Sequence, residues 1–339
     1  MTILFRGASD SDLDAICELA ELGGIGLTTL PKDIDILNKR LTWSSRSFNQ
    51  AIEHPQNGYY LFVLEDTSTK NIIGSSAIEA SLGHECHFYS YKLSKHTQTC
   101  PSLNIQNNYE TLNLVTDKHY HSEICTLFLD PAYRHGGNAA LLSRSRFLFM
   151  AAFPERFQPT VIAEMRGMSD EAGQSPFWNA VGQHFFHLSF AEADRLTLAT
   201  DKQFIADLMP KNPVYVNLLP QAAQEVIGQT HPLTHGALNI LLREGFQPTP
   251  YVDIFDAGPT IEAQRDEIQT IINSHVMTIS HIEETVSSNR YLIANTLLDF
   301  RATIGQIIPD EQSGSCIISQ ETANVLQVTL NDTIRVVMM

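Results

Sequence analysis

Arg134-His135-Gly136-Gly137-Asn138-Ala139 is the stretch of this 339-residue chain whose residue types and spacing point most directly to chemistry. It follows a β-rich run, Ser122 to Leu129, that stops at Asp130-Pro131. It precedes Ala139 to Phe153, where apolar residues recur at helical spacing through Leu141, Leu148 and Ala152. A loop of this kind at a helix N-terminus turns successive backbone N–H groups onto one point, and glycines permit the dihedrals and close approach that a phosphate needs. Spacing alone favours an ordinary glycine-rich turn, so the neighbouring elements have to decide.

Those neighbours carry further reactive groups. Glu123 lies on the strand before the loop, and Glu164 and Arg166 lie on or just after the next β-rich run, Val161 to Met165. Strand alternation puts Glu164 and Arg166 on one face, where an internal ion pair competes with substrate contact as the explanation. A guanidinium prefers a bidentate carboxylate and a carboxylate prefers arginine, so these three residues are candidates for charged substrate groups, as are Arg144 and Arg146 on the helix after the loop. Cys125 falls inside the strand, which predicts a buried, inert thiol rather than a covalent relay. Phe88, Tyr89 and Tyr91 read as packing residues more readily than as the lining of a substrate opening.

The elements that position these groups read as a mixed α/β order. Ile3 to Arg6 is a short strand, and Ser9-Asp10 caps an amphipathic helix with Leu13, Ile16, Cys17 and Ala20 on one face. A second helical region runs from Pro31 to about Ile52. Tyr59 to Glu65 and Ile72 to Ile78 form a hairpin pattern. Residues 84–122 are polar and irregular and read as an insertion at the sheet edge. Pro176 to Phe186 reads as a helix and Leu188-Ser189-Phe190 as an extended piece. Gln221 to Ile227, Ala237 to Arg243 and Tyr251 to Phe255 repeat an α, α, β order. After Pro259, Ile261 to Ile272 looks helical and the remainder is β-rich.

In that setting the loop fits the Arg/Gln-x-x-Gly-x-Gly/Ala pattern of the GNAT N-acyltransferase superfamily, in which two neighbouring parallel strands splay to admit the pantetheine arm of coenzyme A. Longer blocks carry a narrower resemblance. Gly26 to Pro31, Ser122 to Pro131, Leu142 to Phe147, Ala163 to Gly167, Ser175 to Trp178 and Tyr251 to Asp256 are similar to the arginine N-succinyltransferase family, in register to about residue 262. The expected architecture is therefore a GNAT-like mixed sheet flanked by helices over residues 1–200, a second, partial GNAT-like unit over 201–262, and a small β-rich C-terminal subdomain over 263–339.

The resemblance implies transfer of succinyl from succinyl-CoA, a cosubstrate and not a permanently bound cofactor, to the α-amino group of L-arginine. It implies that Arg134, His135, Gly136, Gly137, Asn138 and Ala139 hold coenzyme A, and that Leu127 contacts succinyl-CoA. It also implies that His231, in Val226-Ile227-Gly228-Gln229-Thr230-His231-Pro232, is the proton donor. From its residue type alone a loop histidine before proline is more often structural, although imidazole titrates near neutrality and suits proton transfer. Ala139 and Thr230 stand where relatives tend to have glycine and valine; neither change removes a reactive group. Acetyl-CoA as donor, ornithine as acceptor, or a non-catalytic CoA-binding subunit are the readings left open.

Composition bounds the rest. A formal charge of -16 disfavours nucleic acid and anionic membranes as partners. Five scattered cysteines without a Cys-x-x-Cys pair indicate neither a disulfide framework nor a zinc site, so no metal is expected. The N-terminal residues lack a signal-peptide pattern, and no run approaches ~18 apolar residues, which predicts a cytoplasmic protein. A homodimer is expected on general grounds, and the resemblance also allows paired, non-identical subunits.

Overall fold

The computed structural model describes residues 2–23, 29–83, 87–117, 120–170, 173–199 and 202–339. Strand β1 (Ile3–Gly7) pairs antiparallel with β2 (Tyr59–Asp66), and β2 with β3 (Ile72–Glu79). Every residue of β2 is buried, as an unbroken apolar run predicts for a strand covered on both faces. On one face the helices Leu13–Gly23 and Ile34–Asn49 pack Ile16, Leu19, Leu37 and Leu41 against Tyr59, Leu61 and Val63. Asp33 starts the second helix by accepting from the N–H groups of Asp35 and Ile36. On the other face the helix Asn138–Ala152 sets Leu141, Leu142, Phe147 and Phe149 against Tyr60, Phe62 and Leu64.

The polar segment expected to be irregular is instead a long hairpin, β4 (Phe88–Cys100) and β5 (Ile105–Asp117), paired residue for residue. Only its near end is buried, through Tyr89, Tyr91 and Leu112, so most of its length carries the polar residues of a two-sided solvated ribbon and no alternating signal. Next come β6 (Ser122–Leu129), β7 (Thr160–Glu164), the two-residue β8 (Val214–Tyr215), β9 (Gln247–Val252) and β10 (Pro259–Gln264). The main sheet runs in the order β1-β2-β3-β6-β7-β10-β9-β4-β5-β8, so residues 201–262 extend the same sheet.

Two further expectations are corrected here. Ile261 to Ile272 is not one helix: Thr260 to Gln264 pair with Glu164 to Thr160 of β7, and only Gln269–Asn273 is α-helical. Phe190 does not end a strand but opens the helix Phe190–Ala199. In both cases long-range pairing or packing overrides a weak local pattern.

The chain ends in β11 (His275–Glu283), β12 (Arg290–Asn295), β13 (Arg301–Asp310), β14 (Ser315–Ser319) and β15 (Thr333–Met338). β12 pairs with both β13 and β15, closing a five-stranded barrel. It is filled by Met277, Ile279, Ile293, Ile307, Ile318, Ile334 and Leu326. β13 also pairs with β1, Leu4 opposite Thr303, so the barrel continues the main sheet. The α/β class, the mixed sheet flanked by helices and the β-rich ending are as the sequence led us to expect. Among the described residues no helix is long and apolar enough to cross a membrane.

Candidate active site

β6 and β7 run parallel but share a register only at Ser122 with Val161 and Glu123 with Ile162. Beyond those pairs β6 stays with β3 while β7 stays with β10, and the two strands part. A cavity of about 150 Å³ opens where they separate, lined from β6 by Glu123 to Leu127 and from the end of β7 and the residues after it by Ala163 to Arg166. This is the splay that the loop motif led us to look for.

β6 is not regular beside the cavity. Cys125 faces Ala77 and Phe128 faces Ser75, so neither Thr126 nor Leu127 has a register partner on β3. Thr126 takes φ +57, which is rare for a β-branched residue and costs on the order of 1–3 kcal/mol. Three bonds hold it there. Its N–H donates to Thr29 Oγ1 (3.0 Å), its hydroxyl donates to the Thr29 carbonyl (3.1 Å), and it meets the Tyr59 hydroxyl at 3.1 Å. A bulge of this kind takes a backbone N–H out of the ladder, next to the cavity.

The walls on the two faces differ. Ile124 and Ala163 point into the core shared with the helix Asn138–Ala152. Glu123 and Glu164 alternate with them and point to the opposite face, where Asp253 and Asp256 also line the cavity. Burial pushes the Glu123 carboxyl up to about 8, with Glu79 adding to the shift and Lys202 and Arg40 opposing it. Burial, reinforced by Asp253 and Glu123, raises Glu164 well above the usual carboxylate range, and its buried Oε1 has no hydrogen-bond partner among the described residues. Asp253 is also raised by burial, and its Oδ1 accepts from the N–H groups of Phe255 (2.7 Å) and Asp256 (2.8 Å). Asp256 serves the backbone: its carboxylate accepts from Gly167 (2.7 Å) and Gly258 (2.8 Å), tying the end of β7 to this turn.

Arg166 joins the same face. Its guanidinium donates to Ser169 Oγ at 2.9 Å, burial lowers its pKa against the pull of Asp256, and its buried Nε has no partner among the described residues. No ion pair links Glu164 to Arg166 among the described residues. His231 does not line the cavity, but its N–H donates to the Arg166 carbonyl at 2.8 Å, and Thr234 and Ala237 just after it are in the wall. Its Nδ1 accepts from the Leu233 N–H at 3.2 Å, which places the ring proton on Nε2. Burial lowers its pKa, Arg166 adds to the effect and a bond with the Ser169 backbone works the other way.

The loop Arg134 to Ala139 lies at the start of the helix Asn138–Ala152. Gly136 (φ +67) and Gly137 (φ +98) take left-handed backbone, and the N–H groups of Gly136, Gly137 and Ala139 have no acceptor among the described residues. Arg134 turns back to the Leu129 carbonyl (3.1 Å), Asn138 reaches the Tyr133 carbonyl (3.0 Å), and Arg290 of the barrel holds the Gly136 carbonyl (2.7 Å). Glu123, Leu127, Glu164 and Arg166 thus come together, the loop stands at the far end of one wall helix, and His231 stands beside Arg166. Thr29, Thr126 and the Asp253 turn were not singled out as site residues from the sequence. The resemblance blocks Gly26 to Pro31, Ser122 to Pro131 and Tyr251 to Asp256 were the signal for them; Gly26, Leu27 and Thr28 lie outside the described residues. No group of three or more His, Cys, Asp or Glu among the described residues is arranged to hold a metal ion.

Comparison with known proteins shows the family of the chain. Residues 3–270 match the family model "Arginine N-succinyltransferase beta subunit" and residues 275–338 the model of its C-terminal domain. The chain is 41% identical over 338 residues to arginine N-succinyltransferase of Photorhabdus laumondii, covering 99% of this chain and 98% of that protein. It is 41% identical over 336 residues to the Yersinia enterocolitica protein of the same name, covering 98% and 96%. The solved structure of arginine/ornithine succinyltransferase subunit AI from Pseudomonas aeruginosa superposes with a TM-score of 0.90 at 36% identity, covering 99% of this chain and 98% of that one.

Proposed function

The chain belongs to the arginine N-succinyltransferase family, and from that premise we propose that it transfers succinyl from succinyl-CoA to the α-amino group of L-arginine. It is an acyltransferase, with arginine and an acyl-CoA as its substrates. The observation that carries the finer reading is the cavity in the splay, which presents a cluster of buried carboxylates on one face and continues toward the phosphate-loop helix on the other.

Each substrate charge then has a complement. The guanidinium of arginine goes to Glu123 and Glu164, whose carboxyl pKa values are raised by burial first and by neighbouring carboxylates second, so that a cation favours their ionised forms. Its α-carboxylate goes to Arg166. The pyrophosphate of the donor goes to the N–H groups of Gly136, Gly137 and Ala139, with Arg134, His135 and Asn138 shaping the loop. The N–H of Leu127, a residue without a register partner on β3, polarises the thioester carbonyl.

The reaction needs no covalent enzyme intermediate. The lone pair of the neutral α-amine attacks the thioester carbon and forms the C–N bond; the C–S bond breaks and its electron pair leaves on sulfur. The proton lost by the new ammonium balances the one gained by the thiolate, so coenzyme A departs as a thiol. In this scheme His231, with Arg166 beside it, is the proton donor as an imidazolium: Nδ1 takes the proton released by the new ammonium, giving up its bond from the Leu233 N–H, and Nε2 passes its own proton to the thiolate. The burial that pushes the Cys125 thiol pKa up keeps it protonated and out of the chemistry.

Mass analysis of the product from succinyl-CoA with L-arginine, and separately with ornithine, tests the reading. Succinylation of arginine on its α-nitrogen is the predicted result. A His231→Ala variant should lose on the order of 100-fold in kcat with little change in the arginine KM. Modification of the guanidinium, or an unaffected His231→Ala variant, would overturn the corresponding assignment.

A further inference from the structure

Arg146 is 1% exposed, and among the described residues no carboxylate pairs with it. Its Nε donates to the Ser143 carbonyl and its Nη2 to the Ser143 hydroxyl, both at 3.1 Å, and Nη1 has no acceptor. Two residues earlier on the same helix the ordinary solution is visible: Arg144 bonds Glu244 at 2.9 Å and Thr270 Oγ1 at 2.8 Å. A buried guanidinium without a counter-charge is costly, and burial pulls the pKa of Arg146 down to about 10. A carboxylate arriving from outside the chain would supply the missing counter-charge.

Its position says which charge. Arg146 lines the cavity in the splay from the helix side, with Ile124, Ala163 and Leu241, across the sheet from Glu123 and Glu164. It stands nine residues along the helix from Gly137, about 13 Å at 1.5 Å per residue, on the route a pantetheine arm takes from the loop to the bulge at Thr126 and Leu127. The two arginines in the cavity are thereby divided: Arg166 lies with the carboxylates on the acceptor face, and Arg146 alone lies on the donor face.

We propose that Arg146 is the specificity-determining residue for the acyl group, its guanidinium binding the terminal carboxylate of a dicarboxylic acyl-CoA so that a charged four-carbon acyl chain is chosen over an uncharged one. This rests on the reading of the splay as the acyl-CoA site. Arginine suits the role because its planar fork matches a carboxylate with two parallel bonds, and the bound carboxylate supplies the counter-charge that the buried guanidinium lacks. The acceptor's cation and the donor's anion are then sorted to opposite faces of one sheet.

The test compares succinyl-CoA with butyryl-CoA, which is of similar length but has no carboxylate, using purified full chain and L-arginine. Wild-type turnover with either donor secures the acyltransferase reading independently of Arg146; no turnover with any acyl-CoA would defeat that reading and this one with it. In Arg146→Met, kcat/KM for succinyl-CoA should fall on the order of 100-fold while that for butyryl-CoA stays within a few-fold, collapsing the preference. Arg146→Lys, which keeps the charge but not the fork, should fall between the two and serves if the Met variant does not fold. Equal losses with both donors, or an unchanged succinyl preference in either variant, would overturn the assignment.

Discussion

Thr29 holds Thr126 by accepting from it twice: the Thr126 N–H donates to Thr29 Oγ1 at 3.0 Å, and the Thr126 hydroxyl donates to the Thr29 carbonyl at 3.1 Å. This pair fixes the one left-handed residue in β6 at the point where the strand leaves its neighbour. The bulge and this part of the cavity wall both depend on it.

Replacing Thr29 by valine keeps the shape but removes the acceptor of the Thr126 N–H. A buried donor left unsatisfied costs about 1–3 kcal/mol, so chemical denaturation should show a loss of that size. Because the same change loosens the bulge, kcat should fall more than the arginine KM rises. Wild-type kcat in a destabilised Thr29→Val protein would separate the bulge from catalysis.

Glu123, raised to about 8 by burial, is protonated near neutrality and binds protons more tightly folded than unfolded. Its stabilising contribution is therefore complete below the unfolded carboxylate pKa of about 4.3 and is lost as pH rises through about 8. Without arginine, the melting temperature should fall between pH 6 and pH 9. Saturating L-arginine, whose guanidinium favours the ionised cluster, should raise it more at pH 9 than at pH 6, and Glu123→Gln should flatten both trends. Thermal shift measurements read this directly; an equal arginine effect at both pH values would remove Glu123 from the acceptor site.

A Cβ on Gly258 would fall on the Met165 carbonyl and within 2.6 Å of the Gly167 nitrogen. Gly258 closes the turn whose Asp256 clamps Gly167 at the end of β7. Backbone cannot yield as a side chain can, so Gly258→Ala should cost about 2–3 kcal/mol and displace Arg166 and Glu164. Both stability and arginine KM should worsen, measured by denaturation and initial rates; a neutral substitution would mean that the turn does not position the site.

How much of this was legible in the sequence follows the physics of each element. The loop glycines, β6 and its helix were readable because a strand-to-helix turn with two glycines is local. The paired carboxylates Glu123 and Glu164 were readable as candidates because strand alternation is local too. Asp253 was not, since only the β7–β10–β9 pairing brings its turn to the splay. The hairpin β4–β5 escaped because solvent on both sides erases the alternation that marks a strand. The barrel's β-rich composition was visible, while its closure through the β12–β13 and β12–β15 pairs is a long-range fact. Arg144 and Arg146 read alike in the sequence, and only Glu244, 100 residues away, tells them apart.

The most direct test is the rate of CoA-thiol release by the purified protein with succinyl-CoA, with and without L-arginine, beside an acetyl-CoA control. The account predicts arginine-dependent release that strongly prefers succinyl-CoA. Equal rates with acetyl-CoA would contradict the donor assignment, and coenzyme A binding without arginine-dependent release would contradict the central claim.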